Sequence, residues 1–383
     1  MANGPARTRE DLDVLREASG VYFDAERKRW YFTRFQDIRD AIRDPRLCMD
    51  PRKAAAETGH RAMAPLAELG SMAFLDPPDH TRLRRLVTHA FTPKFVESFR
   101  PDIEALVHKL LSQVKSGPFD FADAVGRPLS RSVVACLFLG LAEESLPAFL
   151  SYLGDAVQVF NPKFPKERAL AARASLKQLW LEVLEDRRVT RGHDFVSMLL
   201  DGQEEDRLSE DELVEMLIMT FGAGNISTAE MINLAVLHLV EHPAQLQKIR
   251  EDRSLVANAV EESLRYESAV NATTRIAPED MELGGCAIGA GEMVTFMTSV
   301  AARDPSVNPD PLSFDVTRER ITHMAFGGGT HVCSGAALAR LETETVIAAL
   351  LENCPTLRLD PERAPERKMF GMVSGLAHLW VVP

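Results

Sequence analysis

The residues with the most chemical content lie in one stretch, Phe326-Gly327-Gly328-Gly329-Thr330-His331-Val332-Cys333-Ser334-Gly335-Ala336-Ala337-Leu338-Ala339-Arg340. Three consecutive glycines favour no regular element, so the chain here is a tightly bent loop. From Ala336 to Glu352 the pattern becomes helical, with Asn353 and Pro355 near its end. Cys333 therefore stands just ahead of a helix N-terminus, where unpaired N–H groups and the helix dipole favour negative charge. That placement predicts a lowered thiol pKa and a thiolate as the expected form. A thiolate is a soft ligand suited to iron, and one cysteine ligand on a flat macrocycle leaves the opposite face open for oxygen. A buried structural cysteine beside a glycine turn would account for Cys333 alone, but not for the whole stretch.

The elements that must hold such a loop are mostly helical. From about Phe35 to Leu200 helical patterns dominate, broken by Pro77-Pro78, Pro101, Gly117-Pro118 and Pro162. Val21–Phe23 and Trp30–Thr33 flank the charged connection Asp24–Arg29 and read as a small hairpin. Short β-prone pieces return at Met293–Phe296 and Leu379–Val382. The clearest element runs from Glu210 to about Glu241, with Ser209 and Glu212 as a capping box and His242-Pro243 as its stop. At ~1.5 Å per residue it is about 48 Å long and should cross the molecule. Its middle reads Gly222-Ala223-Gly224-Asn225-Ile226-Ser227-Thr228. Each glycine costs roughly 1 kcal/mol against alanine. Three causes fit: something flat approaching the backbone, a local opening of the helix, or close helix–helix packing.

Composition sets outer limits. The chain has 383 residues and a net charge of −12, so as a whole it should repel nucleic acid and anionic membrane surfaces. Met1–Gly20 holds no apolar run, which argues against a signal peptide or membrane anchor. Cys48, Cys136, Cys286, Cys333 and Cys354 are odd in number, far apart and without a CxxC pair. A disulfide framework or zinc site is not expected, and a reducing cytoplasm is. No repeat or Gly/Ser linker divides the chain.

The Phe326–Arg340 stretch resembles the haem-binding loop of the cytochrome P450 superfamily, FGxGxHxCxGxxLAR, and meets every fixed position. Other segments match in the family's order, so the resemblance covers essentially the full chain. Glu262-Ser263-Leu264-Arg265 resembles the ExxR signature, a structural pair on the proximal side of the haem. Standing alone, it would read as a surface ion pair. Asp76-Pro77-Pro78-Asp79-His80-Thr81-Arg82-Leu83-Arg84 resembles the start of a helix at the haem edge. The resemblance implies that His80, Arg84, Arg275 and His331 bind the haem propionates, since buried carboxylates need charge-assisted donors. Ala302-Arg303-Asp304-Pro305 and Phe314–Arg318 resemble the stretch before the haem loop. Gly371-Met372-Val373-Ser374-Gly375 resembles a turn that dips into the substrate pocket; a plain turn between two strands would use the same residues.

The resemblance implies a single unit over 1–383, mainly α with small peripheral β-sheets. Haem b (iron protoporphyrin IX) would lie between the long central helix and the cysteine loop, with Cys333 as its axial thiolate. Phe326, Gly327, Ala223 and Gly224 would line it. The implied activity is a monooxygenase that uses O2 to hydroxylate or otherwise oxidise a small lipophilic or aromatic substrate. Electrons would come from a ferredoxin-type donor with its reductase, docking on Arg82, Arg85, Lys94 and Arg340. Pocket contributors would be the segment before Asp76, Asn161–Phe164, Thr220–Ser227, Val270–Thr274 including Asn271, and Met372-Val373.

One departure bears on mechanism. The family's oxygen-activating signature (A/G)-G-x-(D/E)-T is met here by Ala223-Gly224-Asn225-Ile226-Ser227. The alcohol survives as Ser227, but Ile226 stands at the acid position and carries no proton. Asn225, Thr228, Glu230 or ordered water are the substitutes at hand. Two rivals to hydroxylation arise: oxidation without net oxygen insertion (coupling, dehydrogenation or peroxide-driven turnover), and a haem-binding sensor or carrier without catalysis.

Overall fold

The computed structural model describes residues 9–114, 117–156, 158, 164–204, 208–370 and 372–383. Its axis is the helix Glu210–Glu241, unbroken over 32 residues. The capping box is present in full: the Ser209 hydroxyl accepts from the Glu212 N–H at 3.3 Å, and the Glu212 carboxylate accepts from the Ser209 N–H at 3.0 Å. Apolar residues lie on nearly every side of this helix, so it is buried by neighbours all around. Phe149, Trp180 and Phe221 form one edge-to-face cluster against it, with centroids 4.9 to 6.2 Å apart.

The local opening offered as one reason for the central glycines is not found. Gly224 instead packs where a Cβ would fall 2.9 Å from Val134 Cγ2, so close helix packing explains it. Val134 belongs to a widened π-turn, Val133–Phe138, one of two that flank the short helix Arg127–Ser132. The break expected at Pro101 is present: the helix Pro93–Glu97 ends, and Pro101 sits in the first turn of the next, Arg100–Ser112, where its missing N–H costs nothing.

The strands stay peripheral. Val21–Asp24 pairs antiparallel with Arg29–Phe32, so the expected hairpin forms. Arg29–Phe32 then runs parallel to Met293–Phe296, whose other edge pairs antiparallel with Thr273–Ile276. This sheet has its own small core, with Phe32 and Phe296 edge to face at 5.8 Å. Trp380–Val382 pairs with Phe119–Asp120 and Arg358–Leu359. Glu366–Phe370 and Val373–His378 form a second hairpin, and Met281–Leu283 with Cys286–Ile288 a third. Thr273–Ile276 and these last short strands carry too few residues for a period to be read. All five cysteines are unpaired, and among the described residues no helix is long and apolar enough to cross a membrane.

Two braces hold the far side of the cysteine loop. Glu262 and Arg265 are fully buried and joined twice, at 2.6 and 2.8 Å. Arg318 adds a third charge at 3.0 Å from Glu262, and the Asp315 N–H donates to the same carboxylate at 2.9 Å. Arg265 also donates to the Pro311 and Ser313 carbonyls. What reads in isolation as a surface pair is the clasp for the whole Pro311–Arg318 segment. In the second brace, Glu261 receives His323 at 3.0 Å and Arg340 at 2.5 Å, while Arg340 lies over the Phe326 ring at 4.5 Å.

Burial alone would raise the Glu261 carboxyl, but hydrogen bonds from His323 and Arg340, and their charges, outweigh it and bring it down to about 2. A depressed pKa gives stability that is complete above the ordinary value of 4.5 and is lost as pH falls toward about 2. Urea midpoints measured across that range should therefore fall less steeply in Glu261→Gln than in the parent. Glu262→Leu strands the buried Arg265 and the half-buried Arg318 and should cost about 3–5 kcal/mol of unfolding free energy by urea titration.

Candidate functional site

The cysteine loop is built from backbone constraints. The Cys333 N–H donates to the Phe326 carbonyl at 2.9 Å, closing the loop on itself. Gly327 and Gly329 take φ of +72° and +69°, the left-handed region that L side chains avoid. At Gly329 a Cβ would also fall 2.6 Å from the Ile42 carbonyl oxygen. Two of the three glycines are thus required by conformation, and the loop is seated on Ile42, a contact with no signature in the sequence.

Cys333 is reachable by water, yet protein surrounds most of its thiol. That burial pushes its thiol pKa up. The N–H groups of Gly335 and Ala336 and the charges of Arg84 and Arg340 pull the other way, and burial wins. The helix start therefore contributes in the expected sense, but the expected net lowering is not found. A thiol so placed becomes a thiolate when a cation takes its charge directly, as a metal ion does.

One wall of the cleft is cationic. His80 and Arg84 project from the helix Asp79–Ala90, and His80 stacks on His331 with centroids 4.0 Å apart. Arg84 donates to the Ser334 hydroxyl at 2.5 Å and the Val332 carbonyl at 2.7 Å. Arg275 donates to the Thr274 and Gly328 carbonyls at 2.9 and 3.1 Å. Burial, then the nearby charges of His80, Arg275 and Arg84, lowers His331 to about 3. Burial and Arg84 lower His80, and burial lowers Arg275 to about 10. Asp76, the carboxylate that acts on His80 and Arg275, is already bound to the Met49 N–H and Lys53. His80 Nδ1 is buried without a hydrogen-bond partner among the described residues. These groups suit an incoming ligand that carries carboxylates. Ser334 joins them unforeseen, though it lies inside the diagnostic stretch.

The long helix carries the next group of residues expected from sequence. Ala223 and Ile226 are exposed at its middle, and the Ser227 hydroxyl donates to the Ala223 carbonyl at 2.8 Å. Positions 223, 226 and 227 share one helix face. Asn225 and Thr228 do not join them: both are buried, and the Asn225 carbonyl accepts from the Ser130 hydroxyl at 3.1 Å. They are therefore poor stand-ins for the absent acid. Gly224 turns the direction of its missing Cβ toward Val134.

The third wall is the C-terminal turn. Met372 is 42% exposed, and Val373 bridges to Val270. Asn271 is spent on holding this turn: its backbone and side-chain N–H groups both donate to the Met372 carbonyl, and its side chain reaches the Ser374 hydroxyl at 2.5 Å. It shapes the pocket through the turn. Asn161, Pro162, Lys163 and Gly371 lie outside the described residues.

Comparison with known proteins gives one answer. The family model for cytochrome P450 matches residues 56–379. The biotin biosynthesis cytochrome P450 of Bacillus subtilis (strain 168) is 34% identical over 367 residues, covering 94% of this chain and 92% of that one. The 6-deoxyerythronolide B hydroxylase of Saccharopolyspora erythraea is 36% identical over 363 residues, covering 91% and 89%. The ligand-free crystal structure of Mycobacterium smegmatis CYP164A2 superposes with a TM-score of 0.87 at 32% identity, over 98% of this chain and 95% of the other. With the Cys333 loop, the buried Glu262–Arg265 clasp and the long helix all in place, the chain belongs to the cytochrome P450 family of haem-thiolate monooxygenases.

Proposed function

We propose that this chain binds haem b through Cys333 and hydroxylates a small lipophilic molecule. The observation that carries the reading is one cluster of donors: the guanidiniums of Arg84 and Arg275 with the neutral imidazoles of His80 and His331, gathered around the Cys333 loop. In this reading the four hold the two propionates, and Phe326, Gly327 and Ala223 line the ring. When bound, thiolate-held haem supplies reductive activation of O2 for insertion of one oxygen atom into a substrate bond.

The chain's own part is binding, orientation and proton handling. Ala223, Ile226, Met372 and Val373 present mainly apolar surface to the cleft, which excludes water and favours a lipophilic guest. One relative is named for hydroxylating 6-deoxyerythronolide B and another for biotin biosynthesis, which supports an organic small molecule as the substrate class. Ser227 holds a proton at Oγ, given in this structure to the Ala223 carbonyl. Lacking the β-methyl of threonine, it rotates more freely about χ1 and can turn the proton toward the cleft. Ile226, 37% exposed on the same face, offers only hydrocarbon where an acid is usual in the family. That favours a second reading, oxidation without net oxygen insertion.

Electrons would arrive from a ferredoxin-type donor and its reductase. Of the docking residues expected from sequence, Arg82 pairs with Glu212 and Arg340 with Glu261, so Arg85 and Lys94 would form the core of the surface. A steering role for so few charges would show as a salt-dependent rate of reduction.

Reduced protein under carbon monoxide should show the red-shifted band of a thiolate-ligated haem, and Cys333→Ser should abolish it; a folded parent without the band ends this reading. Ile226→Glu restores an acid beside Ser227 and should raise product formed per O2 consumed by about tenfold or more. Under labelled O2, label in the product supports hydroxylation, whereas an unlabelled coupled or desaturated product supports the second reading.

A further inference from the structure

We propose that Glu230 and Arg127 form a buried clamp that sets how far the turn at Met372 and Val373 reaches into the cleft, making Glu230 a positioning residue for substrate selection. The inference rests on the proposed function, in which this turn meets the substrate.

Glu230 lies one helical turn beyond Ser227 and is 2% exposed. Its Oε2 accepts the Leu376 N–H at 2.9 Å and the Asn233 side-chain N–H at 3.2 Å. Its Oε1 is 3.6 Å from Arg127 Nε. Arg127, from the short helix between the two π-turns, donates to the Leu376 carbonyl and, at 3.0 Å, to the Ala377 carbonyl. The two members of one ion pair thus hold the two polar groups of a single residue, Leu376. The strand register shifts between Leu376 and His378, so the sheet pairing loosens where the clamp takes over.

The fit is sterically tight from both sides. A Cβ on Gly375 would overlap the Glu230 carboxylate, and a Cβ on Gly126 would overlap Asn233 Oδ1. Arg127 is held in turn by Asp123, nearer the surface. The far end of the turn is fixed separately by Asn271, and by the Ser374 N–H donating to the Ala269 carbonyl at 2.7 Å. Only Gly375 lies between the anchored Ser374 and Leu376, so the chain has little slack. Glu230 also shares a helix with Ala223, Ile226 and Ser227. Its bond to Leu376 therefore fixes the distance between the residues that handle the proton and the turn that faces the guest. Because both carboxylate oxygens are committed in this way, Glu230 acts through position and not as a substitute for the acid missing at Ile226.

The test compares Glu230→Ala, Glu230→Gln and Gly375→Ala in the full chain. The first readout is hydrogen–deuterium exchange at the Leu376 amide, which needs no bound group. It should accelerate by at least about tenfold in Glu230→Ala and much less in Glu230→Gln, which keeps an acceptor oxygen. The second readout is spectral binding of two probes to the ferric protein: imidazole, and the much larger azole econazole. Glu230→Ala and Gly375→Ala should each change the econazole-to-imidazole affinity ratio by about tenfold, with Glu230→Gln near the parent. An unchanged ratio with the Leu376 amide still protected in Glu230→Ala overturns the clamp. Should Glu230→Ala fail to fold, Gly375→Ala displaces the same contact from the hairpin side, and an unchanged ratio there overturns it equally. A parent without the carbon monoxide band would sink the haem reading alone, because the amide exchange still reports on the clamp.

Discussion

Positive charge gathered in a protein interior without matching acid is expensive, and the cleft of this chain is organised around bearing that cost. Burial and mutual repulsion keep His80 and His331 neutral, and backbone carbonyls take up the guanidinium donors of Arg84 and Arg275. The carbonyls that do so belong to Val332, Gly328 and Thr274, so the loop and a sheet edge serve as counter-dipoles. This explains why the loop must be rigid: a carbonyl that drifted would leave a buried cation unsolvated. Rigidity comes in turn from glycines in the left-handed region, the seat on Ile42 and the closing bond from Cys333 to Phe326.

The opposite wall follows a different rule. A helix wrapped by neighbours on nearly all sides buries apolar residues all round, yet Ala223 and Ile226 at its centre remain uncovered. Such a bare patch persists because the walls are separately braced and cannot collapse onto it. The Glu262 network and the Glu261–Arg340–Phe326 stack hold the loop side, and the Asn271 and Glu230 contacts hold the turn. Ser227 resolves its own polarity by bonding one turn back along the helix, a local solution that costs the site little until the hydroxyl rotates.

Much of this was legible from the order of residues. The boundaries of the helix Glu210–Glu241 and its capping box, the N-terminal hairpin and the strand Met293–Phe296 follow from periodicity and caps, which act over a few residues. The Cys333 loop was legible because its glycines and cysteine are contiguous. Less legible was anything that depends on a distant partner. Gly224 reads equally as a ligand platform or a packing contact until Val134 is seen against it. Asn225 looks like a spare polar group until its burial is known, and the sign of the Cys333 shift depends on how much protein surrounds the sulfur.

By itself the sequence determined the long helix with its caps, the N-terminal hairpin and the bend of the Cys333 loop, because each is a property of residue type and local spacing, whereas the acid missing at Ile226 is visible only against the family's signature. Only the tertiary structure decided which face of the long helix stays open, that Glu262 and Arg265 are a core clasp, and that Glu230 and Arg127 grip Leu376 from opposite ends of its peptide groups. The reason is physical: burial and electrostatics are sums over neighbours brought together from far along the chain, and no local pattern contains those sums.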